Sequence, residues 1–557
     1  MKPKLPHKQR RTRAQTAWLE NNREKYRYDH DYLPPIPVLE DLPHEEAVTA
    51  RYTAGRMAAS AGLIPNMTAA KVKSIFDPFD ELQDFDDLFP ILPKPSTLHT
   101  WRTDDAFAEQ RLSGANPMKM RRVRSRDELP FPLGGDGDTL PGFSVKVGDV
   151  LASGRLYYSD YSDLAFIEGG SHGGVKKYLP TPKVVFVWQH SGYRNWGQLL
   201  PVAIEIQPGA PILTPDGLDP RDWMIAKLCV QIAHANHHEL SSHLTRTHLV
   251  MGPLGIATAR QLAENHPIGI LLRPHFRFMA SQTHLGQEKL MNRGGILDRL
   301  LAGTLEESLT VLANAYKGWS IKEFRFPREL ENRGLFDPEI LPHFPYRDDG
   351  LLLWEAIETF VDDYVHLYYR SDQDVLDDTE LLAWAEELAD PAQGNVNDMP
   401  SPIPNRAELV ELLTTVIFIC GPQHSAVNFS QYDYMAQVPN MPLAAYCPVP
   451  DRLTLPVDGR RMPGSEAQMD DLLMRFLPPA GQAAEQMEFA HILTAYHYDR
   501  LGFYADDDFE DPSALELVAT FKQQLFQIER RIDLRNDKRH VPYKFLKPSE
   551  ILNSISI

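Results

Sequence analysis

The chain runs to 557 residues, with 57 Lys and Arg against 76 Asp and Glu and a formal net charge of −19. Such acidity excludes a nucleic-acid surface, because neutralising phosphates needs clustered basic residues. Three well-separated cysteines, Cys229, Cys420 and Cys447, form no C-x-x-C pair, which excludes a zinc knuckle or a disulfide framework and fits a reducing, cytoplasmic compartment.

The opening MKPKLPHKQRRTR carries Lys2, Lys4, Lys8, Arg10, Arg11 and Arg13 with no acid and no apolar signal-peptide run. It reads as a disordered arm, either a solubilising tail or a peripheral contact with anionic lipid headgroups worth about 1 kcal/mol per basic residue. From Glu45 to Phe76 the chain is rich in Ala and Met at helical spacing, and Asp77 to Asp87 reads as an acidic loop. The run FPILPKPSTLHTW, 89–101, reads as a linker, so a helical extension, 1–95, is expected before the main unit, 96–557. Between Leu140 and Ile206 lie the best strand candidates, among them RLYYSDY, KVVFVWQ and PVAIEI, with Gly-rich turns between them, which predicts a small sheet.

The chain then reaches LDPRDWMIAKLCVQIAHANHHELSSHLTRTHLVMG, Leu218 to Gly252. Asp219-Pro220 is a helix start and Gly252-Pro253 a stop, about 45 Å of helix apart. Apolar residues appear all round it (Trp223, Ala226, Leu228, Val230, Ile232), so the helix is expected to be buried. Its second half holds five histidines, and burying imidazoles is costly unless each finds a hydrogen-bond partner or a metal.

After Pro267 helical spacing returns and is strongly amphipathic from Asp349 to Tyr369. Asp390 to Asn405 reads as a surface loop, and Ala407 to Cys420 restarts a helix in which Pro422 predicts a kink. The acidic run Asp506 to Asp511 lacks the alternating ligands and central Gly of an EF-hand and reads as a solvated loop. Apolar runs such as Val184 to Trp188 and Val416 to Cys420 are far short of the ~18 residues of a membrane span.

Within the histidine-rich helix lies SH-x4-TH at His243 and His248; GPQHSAVNFSQ follows at His424 and Asn428, four apart and on one helix face, and the last residues are NSISI. Together these resemble the iron-ligand pattern of the lipoxygenase family, and the chain resembles that family over most of its length. Asp104 to Pro117, DDAFAEQRLSGANP, is similar to the segment that opens its catalytic domain. The resemblance implies a mainly α fold, a large helical catalytic domain with a small antiparallel β subdomain. Many relatives carry an N-terminal β-sandwich lipid-binding domain. The first hundred or so residues lack its regularly spaced strands, so none is expected there.

The resemblance further implies one non-haem iron held by His243, His248, His424, Asn428 and the terminal carboxylate of Ile557. His238 matches a family histidine that is not a ligand, whereas His234 and His237 have no match. Five residues along an α-helix turn about 500°, leaving His243 and His248 ~140° apart, so a π-bulge between them is expected. Three imidazoles with oxygen donors suit iron better than magnesium or calcium, although ligand type alone does not separate iron from manganese.

Gln431 resembles the glutamine that links the metal site to the substrate channel, and Glu239 stands where relatives have Gln or Glu. Leu290, Leu297 and Leu493 match channel-lining apolar residues, while Met441 falls where some plant relatives place an arginine at the pocket floor. Gly286, 38 residues after His248, matches a position that is usually alanine in S-specific and glycine in R-specific enzymes. The function implied is a monomeric dioxygenase that adds O2 to polyunsaturated fatty acids to give R hydroperoxides. A hydroperoxide isomerase on the same scaffold, or a catalytically silent lipid-binding protein, is the alternative.

Overall fold

The computed structural model describes residues 3–8, 11–76, 79–134, 138–190, 197–216, 220–449 and 473–557. Helices dominate the described residues: α1 (Arg13–Lys25), α2 (Ala50–Ala59), α3 (Leu63–Phe76), α4 (Asp104–Ser113), α5 (Pro220–His237), α6 (Val250–Gln261), α7 (Pro267–Phe276), α8 (Met279–Lys289), α9 (Leu305–Lys317), α10 (Pro345–Tyr368), α11 (Thr379–Ala389), α12 (Arg406–Phe418), α13 (His424–Asn428), α14 (Ala480–Thr494) and α15 (Pro512–Asn536), with shorter turns between. The expected sheet is present as five antiparallel strands in sequential order, β1 (Arg121–Arg122), β2 (Leu156–Asp160), β3 (Lys183–Gln189), β4 (Gln198–Glu205) and β5 (Ile212–Leu213). Phe186 and Trp188 of β3 belong to the main helical core, whereas Val185 and Val187 face a second, smaller core, as the two-residue side-chain period requires.

Helix α5 is the axis of the main core. Every residue from Trp223 to His237 is buried, and its polar side chains are each partnered. Lys227 Nζ donates to Asp104 Oδ1 at 2.7 Å, Gln231 Nε2 donates to Gln110 Oε1 at 2.9 Å, and Asn236 Nδ2 donates to Leu443 O at 2.8 Å. These bonds offset the cost of burying polar groups and fix α5 against α4 and the segment after Met435. The cap expected at Asp219 lies outside the described residues.

Four expectations are corrected. The helix does not stop at Gly252-Pro253: a π-helix, His238–Leu249, joins α5 to α6, which runs on to Gln261 with Pro253 inside it. Pro253 falls within a turn of the point where i→i+5 bonding gives way to i→i+4, so its missing N–H costs little there. The described residues of the N-terminal arm, 3–8 and 11–13, are packed rather than disordered. Leu5 is buried, Lys8 Nζ lies 2.8 Å from Asp374 Oδ1, and Arg11 Nη2 lies 3.0 Å from Glu380 Oε1, so intrachain acids take up two of its charges. The run 89–101 is no linker, since Phe89 and Leu92 belong to the main core. The acidic stretch at 506–511 is only partly solvated: Asp508 pairs with Arg277 at 2.5 Å, and Asp511 Oδ1 caps α15 by accepting from Ser513 N at 3.0 Å.

The segment Arg406–Met435 is long and apolar enough to cross a membrane by composition, but 94% of its most apolar window is buried inside the protein. Pro422 sits in a second π-turn, Ile419–Gln423, which absorbs the missing donor and lets the helix continue into α13.

Candidate metal centre

The two π-turns face each other. In the first, Thr245 Oγ1 donates to Leu240 O at 2.7 Å and the Val250 N–H bonds to Thr245 O, both spanning five residues. Closing i→i+5 stacks residues five apart on one face. His243 and His248 therefore meet, their rings 5.0 Å apart by centroid and their Nε2 atoms at 3.3 Å. From the second turn Gln423 Nε2 donates to Arg246 O at 2.8 Å, fastening the two together. This brings His424 in, 5.0 Å from the His248 ring and 5.7 Å from the His243 ring.

One nitrogen from each of the three histidines lies within 4.8 Å of the others. Burial holds all three imidazoles below their ordinary pKa, so they are neutral and offer lone pairs. His243 Nδ1 lies 3.5 Å from Glu239 Oε2; a carboxylate only accepts, so Nδ1 carries the hydrogen and the Nε2 lone pair points at His248. His424 Nε2 is buried with no hydrogen-bond partner. His234 Nε2 and His238 Nδ1 are also without a partner, so what singles out His424 is its place beside His243 and His248. Nitrogens held at ~2.1 Å on adjacent corners of one ion stand ~3 Å apart, close to what His243 and His248 present. The residues fit a metal ion.

Burial would raise the Glu239 carboxyl, but hydrogen bonds from His238 and His243 outweigh it and bring its pKa down to about 2. Gln431 Nε2 donates to Asn428 Oδ1 at 3.3 Å and packs 3.4 Å from His243 Nδ1, so one amide lies against two of the candidate ligands. Asn428 Nδ2 donates to Leu493 O at 2.7 Å, which settles which end of the amide is left as an acceptor.

The chain end arrives beside this cluster. Residues 551–557 are all buried, and Gly421 of the second π-turn lets the tail pass close, because a Cβ there would stand 3.1 Å from Leu552 O. Ile557, 4% exposed, lines the same cavity as His243, His248 and Glu239. The volume is about 290 Å³, and its remaining walls are mostly apolar. They include Leu290, Leu297, Leu493 and Gly286, so the expected channel residues converge on one space. A Cβ on Gly286 would meet Leu290 Cδ1 and Met291 Cε at 3.8 Å, ordinary contact distance. Met441 is buried, with its carbonyl accepting from Gln486, and is not part of that wall.

The other three histidines of the long helix each pair through one ring nitrogen, while His234 Nε2 and His238 Nδ1 have no hydrogen-bond partner. His234 Nδ1 pairs with Tyr161 Oη at 2.7 Å, His237 Nδ1 accepts from Asn116 Nδ2 at 3.2 Å, and His238 Nε2 donates to Val427 O at 2.8 Å. Sequence reasoning missed α2. Its Arg56 lines the inner cavity and also an outer one of about 730 Å³, and the two share Gln282, Leu285 and Ile492 as well. No motif marks α2, and only its helical Ala- and Met-rich composition pointed to it.

A buried set of three neutral imidazoles that could hold a metal ion lies beside an apolar cavity that also receives the chain terminus. The lipoxygenase family model matches residues 137–546. The chain is 34% identical over 504 residues to the linoleate 9/13-lipoxygenase of Pseudomonas aeruginosa, covering 86% of this chain and 70% of that one. It is 30% identical to the allene oxide synthase-lipoxygenase protein of Plexaura homomalla, covering 97% of this chain and 52% of that protein, and so spans about half of that relative's length. The structure of a calcium-dependent 11R-lipoxygenase superposes with a TM-score of 0.88 at 29% identity, covering 100% of this chain and 83% of that one. The chain belongs to the lipoxygenase family.

Proposed function

We propose that the protein is a non-haem iron dioxygenase that inserts O2 into polyunsaturated fatty acids and gives mainly R hydroperoxides. The observation that carries this reading is the meeting of His243, His248 and His424, the first two of which line a mostly apolar cavity that Ile557 also lines. Asn428 and the Ile557 carboxylate complete the ligand set, the carboxylate being ionised at neutral pH because its reference pKa is about 3.5. When bound, iron supplies the one-electron acceptor that a hydrogen abstraction from a doubly allylic CH2 requires.

The protein does the rest. Leu290, Leu297 and Leu493 bury the acyl chain and exclude water from the carbon radical, which is resonance-stabilised over five carbons. Glu239 accepts from His243 Nδ1 and so fixes the direction of its Nε2, while Gln431 donates to Asn428 Oδ1. Gly286 leaves a methyl-sized space at the wall, where dioxygen reaches one end of the pentadienyl radical. Neutral imidazoles and the absence of thiolates from the cluster favour iron over structural zinc. Oxygen uptake with conjugated-diene absorbance on linoleate and arachidonate tests the reading. Purified protein carrying stoichiometric metal but consuming no oxygen with either would sink it.

A further inference from the structure

A ligand at the end of a chain has covalent support on one side only, and chain ends fray unless tied down. Here the tail is anchored in sequence. Asn553 Nδ2 donates to Asp499 Oδ2, Arg500 O and Phe503 O, each at 3.0 Å, and Ser554 Oγ donates to Arg277 O at 2.9 Å. The last peptide carbonyl before the terminal carboxylate is that of Ser556, and it accepts from Tyr52 Oη at 2.5 Å. Tyr52 is on α2, 504 residues away in sequence.

The Tyr52 ring is 2% exposed and caged by Phe278, Tyr496 and Tyr498, with centroids 5.0, 5.3 and 5.7 Å away. Gly55, one turn along, allows the close approach, since a Cβ there would collide with the Tyr496 hydroxyl. The same helix face walls the outer cavity through Tyr52, Thr53 and Arg56, and Arg56 Nη1 donates to Gln282 Oε1 at 3.1 Å, a residue lining both cavities.

We propose that Tyr52 is a positioning residue for the terminal carboxylate, and that through it helix α2, which walls the entrance to the apolar cavity, is coupled to the metal site. The proposal rests on the reading of the Ile557 carboxylate as a ligand. Tyr52→Phe keeps the ring in its cage and removes the hydroxyl, with its hydrogen bond to Ser556 O and its contact with the Arg56 side chain. In the holoenzyme this substitution is expected to preserve the melting temperature within a few degrees, to release metal to a chelator about 10-fold more readily, and to change the electron paramagnetic resonance signature of the ferric form. Tyr496→Phe, in the same cage, leaves retention and signature as in the parent. Wild-type retention and signature in Tyr52→Phe overturn the proposal if a variant extended by two glycines after Ile557 has lost its metal. An extended variant that holds metal as the parent does removes the ligand reading and the proposal with it. If Tyr52→Phe fails to fold, Gly55→Ala moves α2 without touching the phenol; unchanged metal retention there also overturns the coupling.

Discussion

His243 and His248, five residues apart, present their Nε2 atoms 3.3 Å from each other because the helix between them is wound as a π-helix from His238 to Leu249. In an α-helix they would point ~140° apart and share nothing. The wide turn is therefore what makes a chelate of two neighbours in sequence, and Thr245 supports it from within by bonding back to Leu240 O.

Removing a member of the three-histidine cluster should empty the site. His248→Ala and His424→Ala are expected to lose metal and activity together, whereas His234→Ala, whose partner is Tyr161 and not the cluster, keeps both. Metal analysis of the three purified variants checks this. A His234→Ala protein devoid of metal would show that the ligand set is misassigned.

Appending residues after Ile557 converts its carboxylate into an uncharged amide. The expected fall in turnover is on the order of 100-fold or more, at or beyond the top of the 10–100-fold range typical of groups that only support a ligand. The fold should survive, because the tail's anchors at Asn553 and Ser554 are untouched. A C-terminally tagged protein with full metal and full turnover would contradict the assignment.

Gly286→Ala fits without displacing its neighbours, since the new methyl would stand 3.8 Å from the nearest side-chain atoms. The substitution is expected to stabilise α8 by up to about 1 kcal/mol and to fill the space proposed for dioxygen. Products should shift from R toward S configuration, with oxygen entering at the other end of the pentadiene. Chiral chromatography reads the change, and predominantly S product from the unaltered protein would overturn the stereochemical reading.

Asp378 and His266 form a fully buried pair at 2.9 Å, and Tyr369 Oη also donates to Asp378 at 2.7 Å. Burial alone would raise the Asp378 carboxyl, but the charge and hydrogen bond from His266, with those from Tyr369 and the Leu381 N–H, leave it below its ordinary value. A carboxylate whose folded pKa is depressed contributes stability above its unfolded pKa of about 3.9 and loses it as pH falls through the folded value. Urea unfolding should therefore weaken below about pH 4, and Asp378→Ala should cost about 3–5 kcal/mol at pH 7 by leaving His266 without its partner. A variant as stable as its parent at pH 7 would show that the pair is replaceable.

The candidate ligands were legible in the sequence because ligand chemistry demands fixed residue types at fixed local spacing. His243 with His248, His424 with Asn428, and the NSISI ending are local signals, and the five-residue spacing itself requires the π-turn. The strands from Leu156 to Glu205 were legible for the same local reason, short runs rich in β-branched and aromatic residues bounded by Gly-rich turns. What local pattern could not give is whatever depends on a partner far along the chain. Pro253 looks like a stop until a π-to-α junction is seen to place it where a donor is already spare. The basic arm looks free until Lys8 meets Asp374 and Arg11 meets Glu380. The approach of Tyr52 to Ser556 joins the two ends of the chain through one hydrogen bond, and only the packing of α2 on Tyr496 and Phe278 decides it. Periodicity and ligand spacing are properties of a few consecutive residues, which a sequence displays directly, whereas these contacts exist only once the core has brought distant segments together.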